Sequence, residues 1–117
     1  MKIIHTQKAR IGQNKQRKRI CLWNRKMIDA GFDYGTPIVI ACHKATRSVF
    51  GDVIPNAIVI TPSAEPTKRK VSRVMNHGKA LPVLDLRGDV IAHLGNVGDS
   101  VGVVITKNKI TITGANA

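Results

Sequence analysis

The sequence predicts a mainly β fold with short helices, made from tandem copies of one β-helix-turn-β-hairpin unit. Three observations carry this. Ile20-Cys21-Leu22-Trp23 and Val83-Leu84-Asp85-Leu86 stand 63 positions apart; at the same ungapped offset Met27-Ile28 meets Val90-Ile91, Gly35 meets Gly98, and Ile38 and Ile40 meet Val101 and Val103. Each copy closes on an alternating segment, Ile58-Val59-Ile60-Thr61 and Ile110-Thr111-Ile112-Thr113, now 52 positions apart, so the first copy carries 11 more residues in its last hairpin. Of the 117 residues 43% are hydrophobic but only 3% aromatic, so the core rests on Val, Ile, Leu and Ala. That β-branched bias favours strands. One hairpin cannot bury its apolar face alone, and a second copy can cover it. The duplication therefore implies one two-fold β core, a small barrel completed within one chain, rather than two domains.

The elements follow in order. Residues 1–18 read as a basic N-terminal arm, with Met1–Ile4 able to add a short edge strand. The first repeat spans 19–61. Arg19–Trp23 is a strand; Asn24 caps a short helix over Arg25–Ala30, which Gly31 stops. Asp33-Tyr34-Gly35 turns, Pro37 leads into a strand at Ile38–Cys42, His43–Ala57 is a long loop, and Ile58–Thr61 closes the unit. Residues 62–80 are a basic linker with a turn at Asn76-His77-Gly78. The second repeat spans 81–113. Its strand, Leu81–Leu86, contains Pro82 and is placed at an edge or entering the sheet. A one-turn helix follows at Val90–Leu94, and Val101–Thr106 and Lys109–Thr113 form a hairpin around Lys107-Asn108, where Asn suits a tight turn. Residues 114–117 are a tail.

Charge is unevenly placed. The net charge is +12; residues 1–26 hold nine Lys or Arg and no acid, and Lys68, Arg69, Lys70, Arg73 and Lys79 are opposed only by Glu65. Two basic segments thus flank a nearly neutral core. Such a field suits polyanions, because each phosphate contact releases condensed counterions. No apolar run approaches the roughly 20 residues of a membrane span, and no apolar stretch follows the basic N-terminus as in a signal peptide. A cytoplasmic location is expected, with Cys21 and Cys42 as reduced core thiols.

The run Arg19-Ile20-Cys21-Leu22-Trp23, then Ala30-Gly31-Phe32-Asp33-Tyr34-Gly35, Ile38-Val39-Ile40 and Ile58-Val59-Ile60-Thr61 resembles the SymE-like branch of the AbrB/MazE swapped-hairpin superfamily. Residues 83–113 resemble it more weakly, keeping Gly98-Asp99 and the hairpin but not the Gly-Phe pair. Lys70-Val71-Ser72-Arg73 followed by Leu81–Leu86 is similar to duplicated units of phage and mobile-element proteins. The resemblance implies an AbrB-like swapped-hairpin barrel that binds nucleic acid: DNA in the AbrB and MazE relatives, RNA or the nucleoid in SymE relatives. It also implies phosphate contacts at Arg17, Lys18, Arg19, Arg25 and Lys26 in the first copy and Arg87 in the second. The long His43–Ala57 loop departs from the pattern, and duplication in one chain sets a monomer with an internal pseudo-two-fold against the usual homodimer.

Catalytic chemistry finds little support. No two of His5, His43, His77 and His93 stand at metal-ligand spacing with a carboxylate partner. The glycines lack phosphate-loop spacings, and no serine sits in a nucleophile elbow. Asp85 and Asp89 read as strand-end and helix-cap residues. Trp23 can stack on a base, but the strand pattern favours it as core. With few aromatics, backbone-dominated duplex binding is expected, any sequence reading being done by arginines. The sequence therefore points to a non-enzymatic, cofactor-free and metal-free module that prefers DNA to RNA and is a regulator or accessory factor of a phage or mobile element. Its expected contacts are Lys15, Arg17, Lys18, Arg19, Arg25, Lys26, Lys68, Arg69, Lys70, Arg73 and Arg87. Two alternatives remain: a SymE-type RNA-binding toxin or weak ribonuclease, and a phage-encoded inhibitor whose partner is a host nucleic-acid-handling defence complex.

Overall fold

β-Branched residues at alternate positions give a segment one apolar face, and most such segments here form strands. The computed structural model describes residues 3–14, 17–44, 46–47, 53–54, 56–76, 78–88, 91 and 93–114, with backbone alone at Asn14, Thr46, Arg47, Val53, Ile54, Arg73, Val74, Asn76, Lys79 and Ala80. The strands are β1 (Ile3–Arg10), β2 (Gly12–Asn14), β3 (Arg17–Trp23), β4 (Ile38–His43), β5 (Thr46–Arg47), β6 (Val53–Ile54), β7 (Ala57–Pro62), β8 (Ser72–Asn76), β9 (Lys79–Arg87), β10 (Ser100–Thr106) and β11 (Lys109–Thr113). The one short helix among the described residues, α1, covers Lys26–Asp29. The Asn24 side chain accepts the Lys26 N–H at 2.8 Å.

The strands build two antiparallel sheets, ordered β1-β10-β11-β7-β4 and β2-β3-β9-β8, plus a small β5-β6 ladder. Ile20, Leu22, Leu84 and Leu86 of the smaller sheet share one core with Ile38, Ile58, Ile60, Val101, Val103, Ile105, Ile110 and Ile112 of the larger. Met27, Ala30, Phe32, Ile91 and Leu94 join it from the turns. The fold is mainly β, as expected, but the sheets do not close into a barrel among the described residues.

The two copies are related by register as well as by sequence. In the β3–β9 ladder Cys21 faces Asp85 and Leu22 faces Leu84. Cys21 corresponds to Leu84 and Leu22 to Asp85, so exchanging the copies turns one rung into the other. In the β7–β11 ladder Val59 faces Thr111, flanked by Ile60–Ile110 and Ile58–Ile112, and the 52-residue offset exchanges these rungs too. The turns also cross over. The Asn108 N–H donates to the Ala30 carbonyl at 2.7 Å, and Asn56 Nδ2 donates to the His93 carbonyl at 2.8 Å. Asn56 and Asn108 are counterparts, as are Ala30 and His93. The end of each hairpin therefore rests on the turn of the other copy.

Several expectations change. The expected arm is β1 and β2 over residues 3–14, because β1 pairs along β10 from Ile3–Thr106 to Arg10–Ser100. The expected linker contains β8, which pairs with β9. The first-copy loop contains the β5–β6 ladder. Strand β9 is central rather than at an edge; Pro82 lies just past the last β3 rung, Trp23–Val83, so its missing N–H removes no bond from that ladder. Of the second helix turn, Ile91 and Leu94 are described: the Leu94 N–H donates to Ile91, and the Ile91 N–H to Gly88. Gly114, placed in the tail, is held by its N–H on the Asn56 carbonyl at 2.7 Å.

These strands extend the repeat toward the N-terminus. The Ile11 N–H bonds to the Asp99 carbonyl at 2.9 Å and the Ile11 carbonyl accepts from Gly98 at 2.8 Å. Val71 does the same with Thr36 and Gly35, each at 2.9 Å. Asp99 and Gly98 stand 63 positions beyond Thr36 and Gly35, and Ile11 and Val71 are both fully buried. Ile11 is where the chain passes from β1 of the larger sheet to β2 of the smaller, and Val71 links the Pro37–Lys70 bridge to β8 of the smaller sheet.

Candidate nucleic-acid interface

Alternation on β3 sends Ile20 and Leu22 into the core and leaves Arg17, Arg19, Cys21 and Trp23 on the outer face. On β9, buried Leu84 and Leu86 alternate with outward Asp85 and Arg87. Residues directly opposite in an antiparallel ladder share a face. Arg19 and Arg87 are such partners, as are Cys21 and Asp85, and Trp23 and Val83.

Asp85 holds both guanidiniums. Arg19 donates to it from Nε at 2.9 Å and from Nη2 at 3.4 Å. Arg87 donates from Nε at 3.1 Å and from Nη2 at 2.6 Å. Partial burial pushes the Asp85 carboxyl up, but hydrogen bonds from Arg87 and Arg19, with their charges, outweigh it and hold the carboxyl below its ordinary value. The Arg87 guanidinium is raised, first by its hydrogen bond to Asp85 and then by that charge. Like-charged neighbours across a ladder repel; here one carboxylate between them fixes both in place. Arg87 stays about half exposed, at 48% of its side chain.

The second basic segment meets this group. By the start of β8, a groove of about 260 Å³ is lined by Lys68, Arg69, Lys70 and Ser72 together with Leu84, Asp85, Leu86 and Ile38. Lys68, Arg69 and Lys70 are all exposed. They are not on a loose tether: the Arg69 carbonyl accepts from Ile38 at 3.0 Å, Lys70 bridges Pro37, and Thr67 Oγ1 donates to the Ile38 and Arg69 carbonyls.

The remaining expected contacts divide. Arg17 is exposed beside Gly88, where a Cβ would lie 3.9 Å from Arg17 Cδ. Lys18 points the other way, its Nζ donating to the Gly95 carbonyl at 2.7 Å. Arg25 and Lys26 are exposed at the start of α1, with no contact to Asp85 among the described residues. Lys15 lies outside the described residues, as does His77, and Arg73 is described by its backbone alone.

Four features escaped the sequence reading. Asp85 is the anchor of two arginines, not merely a strand-end residue. Trp23 is not core: it is 54% exposed, because odd positions of β3 face outward. Cys21 and Cys42 are likewise exposed thiols rather than core residues. The fourth feature is Lys8 and Arg10, exposed on β1, which are the counterparts of Lys68 and Lys70. The signal was present, since Lys8-Ala9-Arg10-Ile11 and Lys68-Arg69-Lys70-Val71 share a pattern 60 positions apart. A changed offset between Ile11 and Ile20 hid it. Among the described residues no group of three or more His, Cys, Asp or Glu is placed to hold a metal ion. Comparison with protein families, with curated proteins and with solved structures returns no match.

Proposed function

We propose that the protein is a small basic nucleic-acid-binding module, a DNA-binding regulator or accessory factor, whose contact surface is the outer face of β3 and β9 with the Lys68–Lys70 segment beside it. One observation carries this: the Lys68–Lys70 segment, about 50 positions from Arg19 in sequence, lines a groove together with Asp85, whose carboxylate pre-orients Arg19 and Arg87. A guanidinium fixed in this way keeps donors for a phosphate oxygen while losing little conformational freedom on binding. Symmetry-related Lys8 and Arg10 add further charge. The crossed-over hairpin ends and two-fold ladders also support the finer fold reading, a tandem swapped-hairpin core of AbrB-like type. With both copies in one chain, that core is complete as a monomer.

The test is a salt series on DNA and RNA of equal length. Six phosphate contacts give a slope of log K against log salt of about −5 on duplex DNA. Lys68→Ala with Lys70→Ala lowers affinity for all sequences alike and reduces the slope by about 1–2. A slope near zero, or a slope that the double variant leaves unmoved, refutes the assignment.

A further inference from the structure

Trp23 is the single tryptophan of the chain, and 54% of it faces solvent. It stands at the end of the outward row Arg17, Arg19, Cys21, Trp23 on β3. Side chains two apart on a strand repeat at about 7 Å, so Trp23 and Arg19 lie about 13 Å apart along one face. Val83, directly across the ladder, is only 8% exposed. The apolar surface beside the indole is thus covered while the indole stays open. An indole left this way on a face carrying Arg17, Arg19 and Arg87 has a flat apolar surface beside fixed cations. Asp85, the one carboxylate of the β3–β9 ladder among the described residues, is already engaged by arginines.

We propose that Trp23 is a stacking platform for an unpaired base, so that the β3–β9 face takes single-stranded nucleic acid, its backbone running along Arg19 and Arg87. The proposal rests on the nucleic-acid reading above and narrows it. A base in an intact duplex has both faces covered by its neighbours and offers nothing to a side chain lying on a sheet. An unpaired base has a free π-face, and base–aromatic stacking tolerates any sequence. The low aromatic content favours duplex binding, but the exposed Trp23 supplies one platform that a core position would not.

The single tryptophan makes the site directly readable. The full chain is titrated with a single-stranded oligothymidylate and with a mixed-sequence duplex of the same length, following intrinsic emission and, separately, affinity by anisotropy of a labelled strand. Expected are quenching of Trp23 emission by the single strand and little change with duplex. Trp23→Ala weakens single-strand binding about tenfold, which is what losing one base–aromatic stack costs, and leaves duplex affinity unchanged. Trp23→Phe keeps most of the affinity. Unaltered thermal melting shows that both variants fold. Single-strand binding without quenching, or equal affinity of Trp23→Ala and the parent, overturns the stacking site while the phosphate-binding reading stands. Absence of salt-dependent binding to either form overturns both. Quenching that tracks protein concentration rather than added strand assigns Trp23 to self-association and overturns this proposal alone.

Discussion

Ile11 and Val71 are the residues on which the extended repeat depends, and truncating each measures it. Both are fully buried, and both hold their segment by a pair of backbone bonds to the Gly turn of the other copy. Ile11→Ala removes three carbons and Val71→Ala two. At about 0.8 kcal/mol per buried methylene, the transfer contribution is about 2.4 and about 1.6 kcal/mol. The cavity left behind adds to this, giving about 3 kcal/mol for Ile11→Ala and about 2 kcal/mol for Val71→Ala. Ile11→Val makes the first copy match the second at this position and costs only about 1 kcal/mol. Against a total stability of roughly 5–15 kcal/mol these are large losses. Urea denaturation followed by circular dichroism reads them as shifts in midpoint at constant slope. The exposed neighbours Arg10 and Lys70 serve as controls: alanine there leaves the midpoint where it was. If Ile11→Ala or Val71→Ala falls within about 0.5 kcal/mol of the parent, as surface substitutions do, residues 3–14 and 64–76 are not part of the repeated core.

A chain ending at Thr61 loses β9, β10 and β11, and with them one ladder partner each of β3 and β7 and the partner of β1; sedimentation and circular dichroism are expected to show it unfolded or dimeric, and a folded monomer would sink the two-copy core. Asp85 is held below its ordinary value near 3.8 in the folded chain. Its pairing therefore stabilises fully above that value and is lost as pH falls through the lower, folded value. Asp85→Asn removes this contribution, so acid titrations of parent and variant should differ at neutral pH and converge in strong acid. A difference that stays constant at all pH values rules out the carboxylate as the anchor of Arg19 and Arg87.

Much of the fold is legible in local patterns. A continuous apolar run places β4, and alternation places β7 and β11, because a strand with one buried face must alternate. Asn108, with φ of 61°, marks its hairpin turn. The 63- and 52-residue offsets reveal the duplication because the core positions of both copies meet the same apolar demand. Clustering of Lys and Arg shows where the charge lies. The segments misjudged were those with weak alternation. β1 is an edge strand, paired to β10, and its half-exposed Gln7 and exposed Lys8 and Arg10 blur the apolar alternation.

The sequence by itself determined the class of fold, showed the internal repeat and located the clustered charge on which the proposed polyanionic partner rests, since these follow from periodicity, self-similarity and charge along one line. Tertiary structure alone decided which cations lie near one another and which way each residue of β3 points. Arg19 and Lys68 are distant in sequence, and only the β3–β9 register with the link at Val71 brings both beside Asp85. Strand parity has the same dependence. A shift of one residue in register would bury Trp23 and expose Leu22, because successive strand side chains face opposite ways. The ladder to β9 fixes that choice, and with it the exposed indole on which the proposed binding face depends.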